Sequence, residues 1–322
     1  MSKGIALVLM ACVVWGFIFV IPELLIGFSP IEVALGRYFF FGLISLCFML
    51  VQGVKKWLAI PPFIWKQALN YALIVNVLYY FSLVLGLRYS NAAVITLLLG
   101  MSPITLAFYG NWQHKECSFR KLIFPSVLIG GGLLLVNYPA FNAHSVTTPL
   151  HYLFGLGCGL LSLIAWNWYV LSNAKFLKQN PQLPSSDWAT LIGAGTFVWV
   201  VLIGGAALFF ADPETLKKYV VLNDALERFL IGSFILGFCC SWIGAYLWNR
   251  GSQDLPLSLA GQLTIFETIF GLIYVYIAQQ RFPSSLETAG ITVILSGVAL
   301  SMQIFRKASN QSLDPDYHPN LT

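Results

Sequence analysis

The 322 residues are 58% hydrophobic and only 10% charged, where a soluble domain carries about 25% charged residues, so a soluble globular protein is excluded and an integral membrane protein is expected. The formal charge of +5 is modest, and the Lys and Arg residues sit between apolar runs, a distribution that signals topology and not a nucleic-acid surface. The six cysteines show no CxxC or CxxH spacing, and Cys12, Cys47, Cys158, Cys239 and Cys240 lie inside apolar runs; no disulfide framework, metal site or cofactor is indicated.

A spanning helix needs about 20 mostly apolar residues. Ten segments qualify in chain order: 4–25, 31–52, 67–87, 92–111, 121–138, 150–174, 188–211, 229–249, 257–279 and 287–305. The first follows Lys3 as a signal peptide would, and Leu9-Met10-Ala11-Cys12 resembles a lipoprotein cleavage site. Fewer than ten apolar residues precede that cysteine, however, and the run continues past it, so a first span is the better reading. Most connections are short; the long ones are 137–150, 174–187 and the charged stretch 212–228. The polar tail, 307–322, is expected to be flexible.

Basic residues are retained in the cytoplasm, which orients the chain. With the N-terminus inside, the cytoplasmic connections hold Lys3, Lys55, Lys56, Lys66, Lys115, Arg120, Lys121, Lys175, Lys178, Arg250, Arg306 and Lys307. The outer connections hold only Arg88, Lys217, Lys218, Arg228 and Arg281. Both termini are therefore expected in the cytoplasm. The chain also repeats itself: 80–133 lies over 246–297, each running span, short turn, span, polar turn and glycine-bearing span. Halves of five helices each must enter the membrane from opposite sides, an inverted repeat of the kind secondary transporters use, with a substrate site near the midplane where the repeats meet.

The ninth span, GQLTIFETIFGLIYVYIA, carries Glu267 near its middle. A charge at that depth costs at least ~2.5–3.5 kcal/mol on insertion scales and persists mainly where it faces a bundle interior or a wet cavity. At 3.6 residues per turn, Ala260, Thr264, Glu267, Gly271, Tyr274 and Ala278 share one stripe, whereas Ile265, Phe266, Ile269, Leu272 and Tyr276 lie mostly opposite. The stripe of small and hydroxyl-bearing residues is expected to face protein or cavity, the bulky face lipid or packed helices. Glu267 is then either a transport group, binding a substrate ammonium or carrying a proton, or a silent helix-to-helix hydrogen bond. Arg37 in the second span either snorkels to the outer interface or pairs with Glu23, Glu32 or Glu267, fixing helices or lining an exit route.

These residues resemble the drug/metabolite transporter superfamily with two EamA-type repeats. The first half shows VVWGFIFV with Trp15 and Gly16, SPIEVALGRYFF with Arg37, GMSPITLAFYG with Pro103, and HKECSFRKLIFPSVLIGGGLLL with Glu116. The second shows IAWNWYVLS, GAYLWNRGSQDLPLSLAGQL and PSSLETAGITVILSGVAL. Glu267, standing where the common pattern has a proline matching Pro103, resembles the amino-acid and drug exporter branch. The pattern is broken at Gln280, where many second repeats carry an acid like Glu116, and the second half has no basic residue matching Arg37.

The resemblance implies helices one, three, four, six, eight and nine around a central cavity, with five and ten packed behind. The fold class expected is thus all-α integral membrane, ten transmembrane helices as two inverted five-helix repeats, 1–140 and 149–306, around that cavity. In the cavity helices Trp15, Tyr79, Tyr80, Trp166, Trp168, Tyr169, Trp242, Tyr246 and Trp248 supply many rings, some of them belt or packing residues. A chamber walled by Trp15, Tyr80, Trp166, Tyr169, Trp242 and Tyr246, with Asn76, Asn167, Gln262 and Glu267, would suit amphipathic organic solutes through stacking, cation–π attraction and a few placed hydrogen bonds. Pro22, Pro103 and Gly130 to Gly132 mark ordinary kinks as readily as hinges.

Enzyme motifs are missing: Gly100-Met101-Ser102-Pro103-Ile104 lacks the last glycine of GxSxG, His114, His144, His151 and His318 fall in loops or the tail, and no HExxH or P-loop occurs. The expectation is an inner-membrane exporter of small organic metabolites working by alternating access, amino acids first and cationic drugs or nucleotide-linked metabolites second. Lipid and a small-molecule substrate are the expected partners, nucleic acid is not, and proton coupling and downhill facilitation stand as alternatives. A channel is the rival of another class, distinguished by flux above about 10⁵ per second, beyond a cycle gated by microsecond-to-millisecond domain motion.

Overall fold

Where the chain can stop a helix, it does. Ser29 accepts the Glu32 amide and the Glu32 carboxylate accepts the Ser29 amide (3.3 and 2.7 Å), a reciprocal cap with Pro30 in the first turn. The helix so begun runs Pro30–Gln52, about 34 Å at 1.5 Å per residue, and ends at Gly53, whose φ of 93° only glycine adopts without strain. The computed structural model describes residues 2–90, 92–114, 118–141, 149–209, 216–220 and 223–311, and among them all regular structure is helical.

In chain order the helices are α1 Ser2–Trp15, α2 Ile21–Leu24, α3 Pro30–Gln52, α4 Val54–Leu58, α5 Pro62–Ala72, α6 Tyr79–Tyr89, α7 Ala92–Gly100, α8 Ser102–His114 and α9 Phe119–Phe141. They continue as α10 Pro149–Gln179, α11 Ser185–Phe209, α12 Asp224–Ile235, α13 Gly244–Gln253, α14 Leu257–Leu263, α15 Ile265–Ala278 and α16 Ser285–Gln311. Nine stretches among the described residues are long and apolar enough to cross a membrane. The expected fourth span appears as α7 and α8, with an apolar stretch Val94–Tyr109 interrupted at Met101. The last helix reaches Gln311, into the segment read as a tail; 312–322, like His144 and Glu116, lie outside the described residues. His114 and His151 belong to the terminal turns of α8 and α10.

Two spans contain wide turns that a 3.6-residue projection cannot show. A π-helical segment, Leu73–Leu78, joins α5 to α6, and another, Leu236–Ile243, joins α12 to α13. Two other spans are interrupted for a single residue. At Met101 the i→i−4 bonds from Met101 N to Leu97 O and from Thr105 N to Met101 O carry the ladder across, with Ile104 also donating to the Met101 carbonyl, while Pro103 has no amide to give. The ninth span tightens at Thr264, which keeps helical dihedrals (φ −62°, ψ −17°) while its amide and its hydroxyl both donate to the Gly261 carbonyl, at 3.3 and 2.6 Å.

The main partners in the bundle are α1 with α13, α3 with α11, α6 with α10, α8 with α14, and α9 with α16; α15 lies on α1 and on the 3₁₀ turn Gly16–Phe19. Backbones approach closely at the α9–α16 pair, where a side-chain carbon on Gly132 would fall 2.6 Å from the Gly290 carbonyl oxygen. With no hydrophobic drive between helices in lipid, such close van der Waals contact is what holds them. Ile265 and Ile269, expected on a lipid or packing face, are packed: they join Ile129, Leu133, Ile294 and Val298 in a core between α9, α15 and α16.

Candidate functional site

The tightened turn at Thr264 lies just before Glu267, which stands in the first turn of α15, its amide donating to the Thr264 carbonyl at 3.0 Å. The stripe drawn from the sequence faces protein as expected: Gly271 packs under Phe19, and the Tyr274 hydroxyl donates to Val13 O at 3.0 Å. Glu267 itself is half-buried.

Arg37 is the second charge at this level. Its Nε donates to Ser241 Oγ at 2.8 Å, its guanidinium lies 5.1 Å from the Tyr38 ring, and Ser241 passes its own proton to the Leu236 carbonyl at 3.1 Å within the π segment. Of the expected partners, Glu32 is engaged elsewhere, 2.6 Å from Lys218 Nζ and hydrogen-bonded by Tyr219. Glu23's side chain lies outside the described residues. Between the two charges lie the Cys240–Ser241 turn and Trp15: Arg37 bonds Ser241, the Trp15 indole bonds the Cys240 carbonyl, and Gly16 packs against Phe270 and Gly271 of α15.

Rings fill the space around these charges. Trp15 donates its indole N–H to the Cys240 carbonyl at 2.9 Å and stands 6.2 Å from Trp166 and 5.8 Å from Trp248. A side chain at Gly244 would strike that indole. Trp166 touches Tyr79 at 5.4 Å and Tyr169 at 6.0 Å, and Tyr80 packs edge-on to Tyr38 while its hydroxyl donates to Pro30 O. One end of the group is sealed. Trp188 donates to Asn173, which donates to Asn249, at 2.7 and 2.8 Å, and these residues and Trp248 are buried. At the opposite end, Lys218 lies over the rings of Phe28 and Tyr219 beside Glu32. Burial, with the adjacent carboxylate, pushes the Tyr219 phenol well above its ordinary range, so it remains a donor.

The structure thus gathers Trp15, Tyr80, Trp166, Tyr169 and Arg37 around one region, with Glu267 on the neighbouring α15, and gives Asn76, Asn167 and Trp242 interhelical bonds, whereas Tyr246 stacks on Trp242. Asn76 donates to Thr196 Oγ1 at 2.7 Å, joining the first π segment to α11. Asn167 donates to Thr105 and accepts from Ser102 at 2.7 and 2.6 Å, clasping α10 to the restart of α8. Trp242 donates to Thr190 at 3.1 Å and lies between Phe48 and Tyr246, on the side of α3 and α11. Gln262 is fully buried with neither amide atom hydrogen-bonded. Tyr38, Ser241 and Cys240 were not singled out from sequence; Ser241 and Cys240 sit in a π turn, whose register an α-helical projection misplaces.

The profile of the EamA-like transporter family matches residues 2–138. The inner membrane protein YtfF of Escherichia coli (strain K12) is 30% identical over 311 residues, covering 94% of this chain and 96% of its own. A crystal structure of another protein, 15% identical, superposes with a TM-score of 0.74 over 95% of this chain and 99% of its own, a likeness of fold. On these matches and the apolar helical bundle just described, the chain belongs to the EamA-like transporter family.

Proposed function

We propose that the protein is an inner-membrane exporter or facilitator of small zwitterionic metabolites, amino acids first, working by alternating access with both termini in the cytoplasm. The observation that carries this reading is that the helices bearing Arg37 and Glu267 meet the same aromatic element: Arg37 bonds Ser241, Trp15 bonds the adjoining Cys240, and Gly16 packs against Phe270 and Gly271 of α15. A carboxylate and a guanidinium so placed suit a solute bearing an ammonium and a carboxylate, with Trp15, Tyr79 and Trp166 contacting its side chain. The inner-membrane assignment rests on the similarity to YtfF and on the spans.

Two halves, 1–140 and 149–306, related as inverted repeats, are part of the proposal. Exchanging the halves carries the α1–α13 contact onto the α6–α10 contact and returns α3–α11 and α9–α16 to themselves, whereas α8–α14 has no comparably close counterpart between α15 and α7. The wide turns fall in matching spans, as do the interruptions at Met101 and Thr264. Discontinuous helices near the midplane are where secondary transporters build substrate and ion sites. The seal at Asn173, Asn249 and Trp188 lies at the end rich in Lys55, Lys56 and Arg250, so the conformation is read as closed to the cytoplasm.

A second reading, export of organic cations, is favoured by the rings beside Glu267. Reconstitution in liposomes decides between them: counterflow of a neutral amino acid supports the first, counterflow of a quaternary ammonium with none of an amino acid supports the second. Running both with and without a pH gradient separates proton coupling from downhill movement.

A further inference from the structure

At the end of the bundle that carries Lys55, Lys56 and Lys66, the chain leaves α3 through Gly53, forms the short α4, and re-enters at Pro62. A short helix between two spans lies at the bilayer surface, and its side chains divide accordingly: Val54 and Leu58 are exposed, Leu58 by 80%, beside two lysines, while Trp57 is buried at 3%. Under it runs an apolar trough of about 660 Å³ lined by Leu46, Met49, Leu50, Val54, Trp57 and Trp65, among others.

Three lysines stand next to the lining in sequence: Lys55 and Lys56 follow Val54, and Lys66 follows Trp65. The Trp57 indole N–H is buried without a hydrogen-bond partner, although Trp65 donates to the Trp57 carbonyl at 3.3 Å. Lys56 is committed, 2.6 Å from Asp187, 2.7 Å from Gln52 and 4.7 Å above the Trp57 ring. Lys55 and Lys66 are exposed and, among the described residues, make no hydrogen bond or ion pair.

We propose that this trough is a binding site for one anionic phospholipid. An acyl chain fills the apolar floor, and Lys55 and Lys66 neutralise the headgroup. The charge selects the lipid: Asp187 already balances Lys56, so the two remaining lysines leave the rim positive, and each lysine near an anionic headgroup is worth on the order of fivefold in retention. The site needs no assumption about what the protein transports.

The test is native mass spectrometry of the purified full chain with equimolar phosphatidylglycerol and phosphatidylcholine of identical chains. Wild type should retain one phosphatidylglycerol with a preference on the order of tenfold or more, falling as salt rises. Lys55→Gln with Lys66→Gln should bring the preference close to unity. Leu50→Trp, which fills the trough from an exposed position, and Leu58→Glu, which sets a charge at its edge, should both abolish retention without altering the fold. Equal retention of the two lipids by wild type, undiminished retention in Leu50→Trp and Leu58→Glu, or a dimer that those substitutions dissolve would each overturn the assignment.

Discussion

Glu267 and Arg37 do not touch: Arg37 gives its Nε to Ser241, and among the described residues no ion pair within 4 Å joins the two charges. Opposite charges that closed on each other would cancel and leave nothing for a solute. Ser241, itself anchored to the Leu236 carbonyl, holds the guanidinium at its distance.

Removing either charge should therefore impair transport and spare assembly. Glu267→Gln is expected to lower uptake into proteoliposomes by about 10–100-fold, the range for a lost charged hydrogen bond, with unchanged amounts in the membrane. Unaltered uptake would remove Glu267 from the mechanism. Arg37→Met should fall similarly, and Ser241→Ala should weaken apparent affinity more than maximal rate, because it frees Arg37 without deleting it.

Neighbouring glycines in the fifth span should respond in opposite ways. A side-chain carbon on Gly131 meets nothing within 4 Å, so Gly131→Ala should be neutral or slightly stabilising. On Gly132 it meets the backbone of α16 at Gly290, and Gly132→Ala should cost about 1–3 kcal/mol as the helices part. Thermal unfolding in detergent, comparing the two variants, gives the answer.

Gln262 separates stability from function. Its amide is buried and unpartnered, a state costing roughly 1–3 kcal/mol. Gln262→Leu is expected to raise the melting temperature. If uptake stays at wild-type rates, the amide is dispensable; if it collapses while stability rises, Gln262 belongs to the translocation route.

Trp15→Phe keeps the ring and deletes the hydrogen bond to the Cys240 carbonyl. The expected loss is about 0.5–1.5 kcal/mol of stability. A larger fall in uptake for a bulky aromatic substrate than for a small one would tie the same ring to solute binding, and a substrate series measured on one preparation distinguishes the two effects.

Apolar length and lysine spacing made nearly every span readable, and the cost of a charge in lipid made Glu267 conspicuous. The turn before it was not readable, because Thr264 tightens the helix by a local hydroxyl bond to the Gly261 carbonyl and no proline within the span signals it. The roles of Asn76 and Asn167 were hidden for another reason: their partners are 120 and more than 60 residues away in sequence, and a single helix does not reveal what it packs against. Ser241 was hidden beside Trp242 because a wide turn shifts which neighbour faces inward; Tyr38, in the regular helix α3, shows its role only through its contacts with Arg37 and Tyr80.

The interruption at Thr264 leaves the lower piece, Leu257–Leu263, clamped to Ser102–His114, while the upper piece, Ile265–Ala278, rests on the first span. Glu267 rides on the upper piece just above the joint. Three residues past that joint, its position is set by the packing of its own piece on the first span and not by the clamp on Ser102–His114.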